Sequence, residues 1–325
     1  MSPAPWSVAL ATDAVYAPHA AVAIHSLLAR HPGQPIELWL LVEREEGPMS
    51  NALARLQQLV GGGPARLQVL PIPALWRRRL RAHPQFGLHA WLRLLLPVLL
   101  PDRDRVLYLD SDLVVSDRLE ALWSVDLQGQ LLAAVHNPLY PHQSAAWQQA
   151  LGVPDPARYF NSGVLLLDLA ALRAGDWTER LLHQAAASGE ALRFPDQDVL
   201  NQAFWSRWQP LPPRFNAQAI HFDLPPRQLS GSAEALRAAR HRPAIVHYTG
   251  QHKPWLHACR HPRRALYWQH RRQTPWADGQ PLHPRLRNWL LRELPYPLHR
   301  WVLQRWPQPE LARAAPQDGV AGPGA

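Results

Sequence analysis

Lysine is almost absent from this sequence. Lysine and arginine together number 34 in 325 residues, and Lys253 is the one lysine among them. Cysteine is as scarce. Cys259 stands alone, so no disulfide can form within the chain, which fits a reducing compartment. Long apolar runs are missing too. The stretch WLRLLLPVLLP is short and is interrupted by Arg93 and by proline, which excludes a membrane span there. The N-terminal MSPAPWSVALATDAVY has no basic leader and carries Asp13 within its apolar run, so no secretory signal is predicted.

What is present is apolar and basic. Hydrophobic residues make up 47% and charged residues 18%, enough to build a sizeable core and too apolar for global disorder. The formal net charge is +9, which points to anionic partners: nucleic acid, an anionic membrane or phosphorylated small molecules. The basic residues are scattered and no nucleic-acid module is visible, so nucleic acid is the least favoured of the three. The preference for arginine is consistent with a base-composition bias, and departures from that bias carry information.

Apolar runs and helical spacings alternate along the chain. WSVALAT (6–12), IELWLLV (36–42) and RLQVLPI (66–72) read as strands. HAAVAIHSLLARH (19–31) and SNALARLQQLV (50–60) read as helices, the second with Ser50 or Asn51 as its cap. Further strands are expected over 106–115, 131–137, 159–169 and 244–250, and helices over 178–188 and 196–205. This order predicts an α/β fold with a largely parallel sheet. Ligands of such sheets bind beyond the carboxyl ends of the strands, which singles out Asp13. The triple glycine at 61–63 follows a helix and no Lys-Ser/Thr comes after it, so it reads as a helix stop, not a phosphate loop.

Several segments carry chemistry. In VLYLDSDLVV, Asp110 and Asp112 stand two apart with apolar residues on either side. On an extended strand they point the same way, and two carboxylates aimed together call for a cation between them. Solvated aspartates of a turn are the alternative, disfavoured by the apolar flanks. His247 ends another apolar run; with the two aspartates it makes an O,O,N set with open positions, suited to a divalent ion such as Mn²⁺ that also holds substrate oxygens. FPDQDVLN places Asp196 and Asp198 at a helix start, where capping and the helix dipole explain both acids but leave Gln197 unexplained. FNSGVLLLDL pairs Asn161 with Gly163, where backbone passes close to something.

ATDAVY, RVLYLDSDLVV, YFNSGVLLLDL, FPDQDVLN, HYTGQHKPW and HPRRALYWQHRRQTPW stand in the order found in glycosyltransferase family 8. Over residues 6–276 the sequence resembles the bacterial lipopolysaccharide and lipooligosaccharide α-galactosyl- and α-glucosyltransferases of that family. The resemblance implies a GT-A fold, a Rossmann-like nucleotide-sugar-binding domain with a mixed central sheet. It implies a UDP-sugar donor, Mn²⁺ with Mg²⁺ as a possible substitute, and transfer with retention of the α configuration to a saccharide or glycolipid acceptor. It implies Asp110, Asp112 and His247 as metal ligands. Ala11 and Asp13 would meet the uracil and ribose, and Arg93 and Ser111 the donor. Asn161, Asp196 and Gln197 would surround the donor sugar and the reacting carbon, and Gly250 and Lys253 would face the diphosphate.

The resemblance also gives the single lysine a reason. A compact ammonium on a flexible stem reaches a phosphate oxygen beside a metal, where a planar guanidinium is too large. Front-face attack is favoured over double displacement, because Gln197 is a poor nucleophile; Asp196 stays open as an alternative. The chain departs from the family pattern at Val15 in the nucleotide motif and at His136–Asn137, where an aspartate is expected near the acceptor.

Two other readings compete. One is a metal-dependent phosphoryl or nucleotidyl transferase, which needs an added base or phosphate loop. The other is a non-catalytic peripheral membrane or adaptor protein that retains the fold. Residues 1–276 are expected to form the catalytic domain and 313–325 a disordered tail. Between them, 277–312 interleaves Arg285, Arg287, Arg292, Arg300 and Arg305 with Trp289, Trp301 and Trp306. This basic, aromatic, helical segment suits an anionic membrane surface, and with it a peripheral position on the cytoplasmic face of the inner membrane.

Overall fold

The first strand, β1 (Trp6–Ala11), is apolar but for Ser7 because it is buried on both faces. It lies between β2 (Ile36–Val42) and β4 (Arg105–Leu109) and is parallel to both, with Trp6 opposite Ile36 and Ala9 opposite Tyr108. The computed structural model describes residues 4–80, 82, 87–138, 151–155, 158–188, 192–250 and 253–283, with Leu291, Glu293, Leu294, Leu298 and Val302 beyond them. β3 (Arg66–Pro71) completes the parallel half of the sheet beside β2. β6 (Leu132–His136), β7 (Phe160–Asp168) and β8 (Trp208–Pro210) form the other half, in the order β3-β2-β1-β4-β7-β6-β8. β7 runs antiparallel to both neighbours, so the sheet is mixed rather than uniformly parallel.

Helices cover both faces. α1 (Ala17–Arg30) and α2 (Pro48–Val60) bury Ile24, Leu27 and Leu56 against one side. The short helices His89–Leu92 and Leu96–Leu99 and the helices Trp177–Ser188 and Pro195–Phe204 cover the other with Leu96, Val199 and Phe204. α2 starts two residues earlier than expected. Gly47, at φ 65°, precedes it and Pro48 opens it, so neither Ser50 nor Asn51 is the cap. Proline suits that first position because its missing N–H would have had no partner there. Gly61 caps the other end of α2 and Gly62 turns the chain at φ +92°, the stop expected of the triple glycine.

The segment 106–115 is not one strand. β4 ends at Leu109, residues 110–112 turn, and β5 (Leu113–Val115) belongs to a second, three-stranded sheet. There it pairs antiparallel with β10 (Ile245–His247), which also pairs with β9 (Ala217–Gln218). The turn is tied at both ends: Asp110 N donates to Gly163 O at 2.8 Å, and Ser111 Oγ donates to Ala11 O at 2.8 Å. A register break between Ala134 and Val135 lets β7 bulge from β6 at 162–164, the part of β7 beside that turn.

Among the described residues no helix is long and apolar enough to cross a membrane. Beyond His283, the basic segment to 312 lies outside the described residues apart from the five isolated positions, and the tail 313–325 lies wholly outside them.

Candidate active site

The two sheets meet at the turn. Asp110 leaves β4, Asp112 enters β5, and His247 ends β10. Their ligand atoms all lie within 4.8 Å of one another. His247 Nε2 is 3.1 Å from Asp112 Oδ1 and 3.6 Å from Asp110 Oδ2. The aspartates therefore converge because a turn joins two sheets, not because one strand carries both. Gly163 leaves the room for this. A Cβ there would stand 2.2 Å from His247 Cε1 and 2.6 Å from Asp110 Oδ2. Two carboxylates and an imidazole with open positions form a donor set that fits a divalent cation.

Lys253 sits on this cluster. Its ammonium donates to Asp112 Oδ2 and, at 2.9 Å, to Tyr248 O. Burial opposes the charge on each partner, but mutual attraction wins. The Asp112 carboxyl is held well below its ordinary value by Lys253 and His247, and Lys253 is raised by Asp112. The charged pair is thereby kept in a nearly water-free place. Gly250, three residues before Lys253, turns at φ +74° and is exposed.

Arg93 is buried on the opposite side, in the single turn of 3₁₀ helix Arg93–Leu95. It bridges Asp110 at 2.9 Å and Asp196 at 3.1 Å, donates to Ser162 O at 2.6 Å, and lies over the Tyr108 ring. Burial lowers its affinity for the proton, but the two carboxylates outweigh this and raise it. Asp196 does not cap its helix. Phe194 holds the cap position without a side-chain bond, and the Asp196 carboxylate instead accepts from Ser162 Oγ at 2.8 Å. Burial pushes its carboxyl up, opposed by Arg93.

Gln197 is also buried and both ends of its amide are bonded. Oε1 accepts from Asn161 Nδ2 at 3.0 Å and Ser162 N at 3.1 Å, while Nε2 donates to Tyr159 OH at 2.9 Å. Tyr159 in turn donates to Asp198 Oδ1 at 2.5 Å, and Asp198 Oδ2 accepts from the backbone of Arg193 and Phe194. Burial pushes the Asp198 carboxyl up to about 6. The sequence pattern did not single out Tyr159 or Asn216. Tyr159 opens the YFNSGVLLLDL segment and Asn216 lies outside the motifs, and neither has a periodicity or spacing of its own.

Asp13 and Ala11 lie at the far end of β1. Asp13 Oδ1 accepts from Tyr16 N at 2.7 Å, and Oδ2 lies 3.7 Å from His89. A cavity of about 190 Å³ opens here, lined among others by Thr12, Asp13, Glu43, Met49 and His89. The structure therefore brings Asp110, Asp112, His247, Lys253, Arg93, Asn161, Asp196 and Gln197 into one cluster. Ser111 links it to Ala11 and so to the Asp13 cavity.

This mixed sheet, with its acidic turn at the carboxyl end of a central strand, is a GT-A glycosyltransferase fold. The solved structure of galactosyltransferase LgtC with donor and acceptor sugar analogues superposes with a TM-score of 0.73 at 25% identity, covering 83% of this chain and 96% of that one. Residues 7–259 match the family profile described as glycosyl transferase family 8. The chain belongs to that family. It is 26% identical to lipopolysaccharide 1,2-glucosyltransferase of Escherichia coli (strain K12) over 283 residues, 85% of this chain and 80% of that protein. It is 32% identical to general stress protein A of Bacillus subtilis (strain 168) over 193 residues, 58% of this chain and 66% of that one.

Proposed function

We propose that the chain is a retaining hexosyltransferase that moves galactose or glucose from a UDP-sugar to a saccharide acceptor of lipopolysaccharide, lipooligosaccharide or another surface glycan. The observation that carries this is the convergence of Asp110, Asp112 and His247, with Lys253 beside them, where the two sheets join. The resemblance to galactosyl- and glucosyltransferases supports the donor and acceptor classes. Asp110, Asp112 and His247 would hold Mn²⁺, or Mg²⁺ in its place. The bound ion supplies Lewis-acid charge at the diphosphate oxygens.

The protein side of the reaction follows from the contacts. Asp13 borders the cavity that suits the nucleoside, with Ala11 two residues before it on β1. Lys253, released from Asp112, offers its ammonium to the diphosphate and neutralises charge as the leaving group departs. Arg93 fixes Asp196 and Asp110 relative to each other. Gln197 has both lone-pair directions of its carbonyl occupied, so it orients and does not attack. This supports front-face displacement. The bond from the anomeric carbon to the diphosphate oxygen breaks, the acceptor oxygen bonds on the same face, and the acceptor proton passes to the leaving phosphate. The glycine run Gly61–Gly63 stops a helix and forms no phosphate loop, which disfavours a phosphoryl-transferase reading.

The test is UDP release from UDP-glucose and UDP-galactose, with Mn²⁺ and with chelator. Release should require the metal, and Asp110→Ala or Asp112→Ala should abolish it while the folded state survives. Wild-type turnover by Asp112→Ala in chelator would sink the assignment. The placement at the cytoplasmic face of the membrane rests on the arginine and tryptophan pattern of 277–312. Anionic liposomes should pellet the full chain but not a truncation ending at Asp278; equal pelleting of the two excludes that segment as the anchor.

A further inference from the structure

Asn216 belongs to none of the sequence motifs, yet it is without exposed surface and lies against the His247 ring. It ends the short 3₁₀ segment Pro213–Asn216, one residue before β9, and β9 pairs with β10 at His247. Asn216 Oδ1 is 2.9 Å from His247 Nδ1, and Asn216 Nδ2 donates to Asn161 Oδ1 at 2.8 Å.

The orientation of this amide is fixed from the backbone outward. Gly163 N donates to Asn161 Oδ1 at 3.0 Å, so that atom is the carbonyl oxygen of Asn161. The Asn216 atom facing it must then be the NH₂ group. The Asn216 atom facing the imidazole must be the carbonyl oxygen, an acceptor only. His247 Nδ1 therefore carries a proton, which makes Nε2, 3.1 Å from Asp112 Oδ1, the nitrogen whose lone pair a metal would use. The other amide of Asn161 agrees, because its Nδ2 donates to Gln197 Oε1, which Ser162 N already fixes as a carbonyl.

We infer that Asn216 is a positioning residue that locks His247 in the Nδ1–H tautomer, so that Nε2 is presented as a metal ligand. A hydrogen-bond partner on the nitrogen away from the metal sets the tautomer and ring orientation of a ligating histidine, and its loss costs about 10–100-fold in metal affinity. The same amides contact Asn161 and Gln197, so the metal ligand and the residues proposed to surround the sugar share one hydrogen-bonded frame. The inference rests on the metal reading given above.

The experiment measures Mn²⁺ binding to the full chain without nucleotide sugar, from the electron paramagnetic resonance signal of free Mn²⁺. Wild type should bind, and His247→Ala should bind weakly. Asn216→Ala should lose about 10–100-fold in affinity. Asn216→Asp keeps an acceptor for Nδ1–H but loses the donor to Asn161, so it should recover most of the affinity; a merely structural residue would not be rescued this way. Equal affinity for wild type and Asn216→Ala, or Asn216→Asp no tighter than Asn216→Ala, overturns the inference alone. A wild type that binds no Mn²⁺ overturns the metal reading and this inference with it. Should the variants not fold, ¹⁵N-histidine spectra of the Mg²⁺-saturated wild type decide. The His247 signals, identified by their loss in His247→Gln, should show a protonated Nδ1 and a bare Nε2. The opposite tautomer overturns the proposal.

Discussion

Lys253 and Gly163 hold the site by different means, one by charge and one by lacking a side chain. Lys253 is buried between the Asp112 carboxylate and the Tyr248 carbonyl, and stacked His19 and Trp255 lie close by. A guanidinium is broader and rigid, so Lys253→Arg should behave as a loss. We expect kcat/KM for the UDP-sugar to fall at least roughly tenfold, about 1.4 kcal/mol of transition-state stabilisation, with weaker donor binding. Unchanged kinetics would remove the explanation for the single lysine. Gly163→Ala puts a methyl group into the space of His247 and Asp110. It should destabilise the fold by about 1–3 kcal/mol and weaken Mn²⁺ binding, as read by denaturant unfolding and metal titration.

At the scale of elements, Asn201 ties the helix Pro195–Phe204 to the start of β7, beside the bonds that Asp196 and Gln197 make to Asn161 and Ser162. Asn201 Oδ1 accepts from Phe160 N at 2.7 Å, and its Nδ2 donates to Phe160 O at 2.9 Å and Gln197 O at 2.8 Å. Asn201→Ala leaves buried backbone groups of Phe160 unpaired and should cost about 2–4 kcal/mol in denaturant unfolding. A loss under 1 kcal/mol would show that packing and the Asp196 and Gln197 bonds hold the helix without Asn201. The strands β1 and β2 were legible because burial on both faces leaves a continuous apolar run. The same signal misled at 106–115, where apolar residues on both sides of Asp110–Asp112 serve equally for one strand and for two strands in different sheets. Asp110, Asp112 and His247 could be named together because their residue types suit one chemistry. Asn216 and Tyr159 could not, because a buried amide or phenol gains its meaning only from a partner distant in sequence, such as His247 or Asp198. The contacts of Asp196, expected either as a helix cap or beside the donor sugar, were out of reach for a related reason. Its position in the helix was visible, but Arg93, 103 residues earlier, was not visible as its neighbour.

Taken as a whole, the molecule buries several histidines in neutral form. Burial lowers His19 and His25 below their ordinary value and brings His221 and His270 down to about 4. Between pH 6.5 and 4 the unfolded chain takes up protons that these folded residues refuse, so stability should fall as the pH drops through that window. Asp198, raised to about 6, acts in the opposite sense, since its folded form holds a proton more readily. The histidines outnumber it. Replacing His221 by Gln should flatten the decline, checked by urea midpoints at pH 7 and pH 5. An unchanged slope would mean that His221 is protonated in the folded state.

The acidic turn has a mechanical consequence. Asp110 hangs from the seven-stranded sheet, whereas Asp112 and His247 hang from the three-stranded one. An ion bound by all three would be a rivet through the joint between two sheets that otherwise meet by a turn and side-chain contacts. By mass action it would stabilise the folded chain by about 2.7 kcal/mol when free metal reaches a hundred times its dissociation constant. Melting temperature should therefore climb with the logarithm of Mn²⁺ concentration, and chelator should reverse the climb. Asp112→Ala should melt at one temperature whatever the metal. Hydrogen exchange should place the added protection at the seam, on the amides of Leu113–Val115 and Ile245–His247, and not in the distant strands β2 and β3.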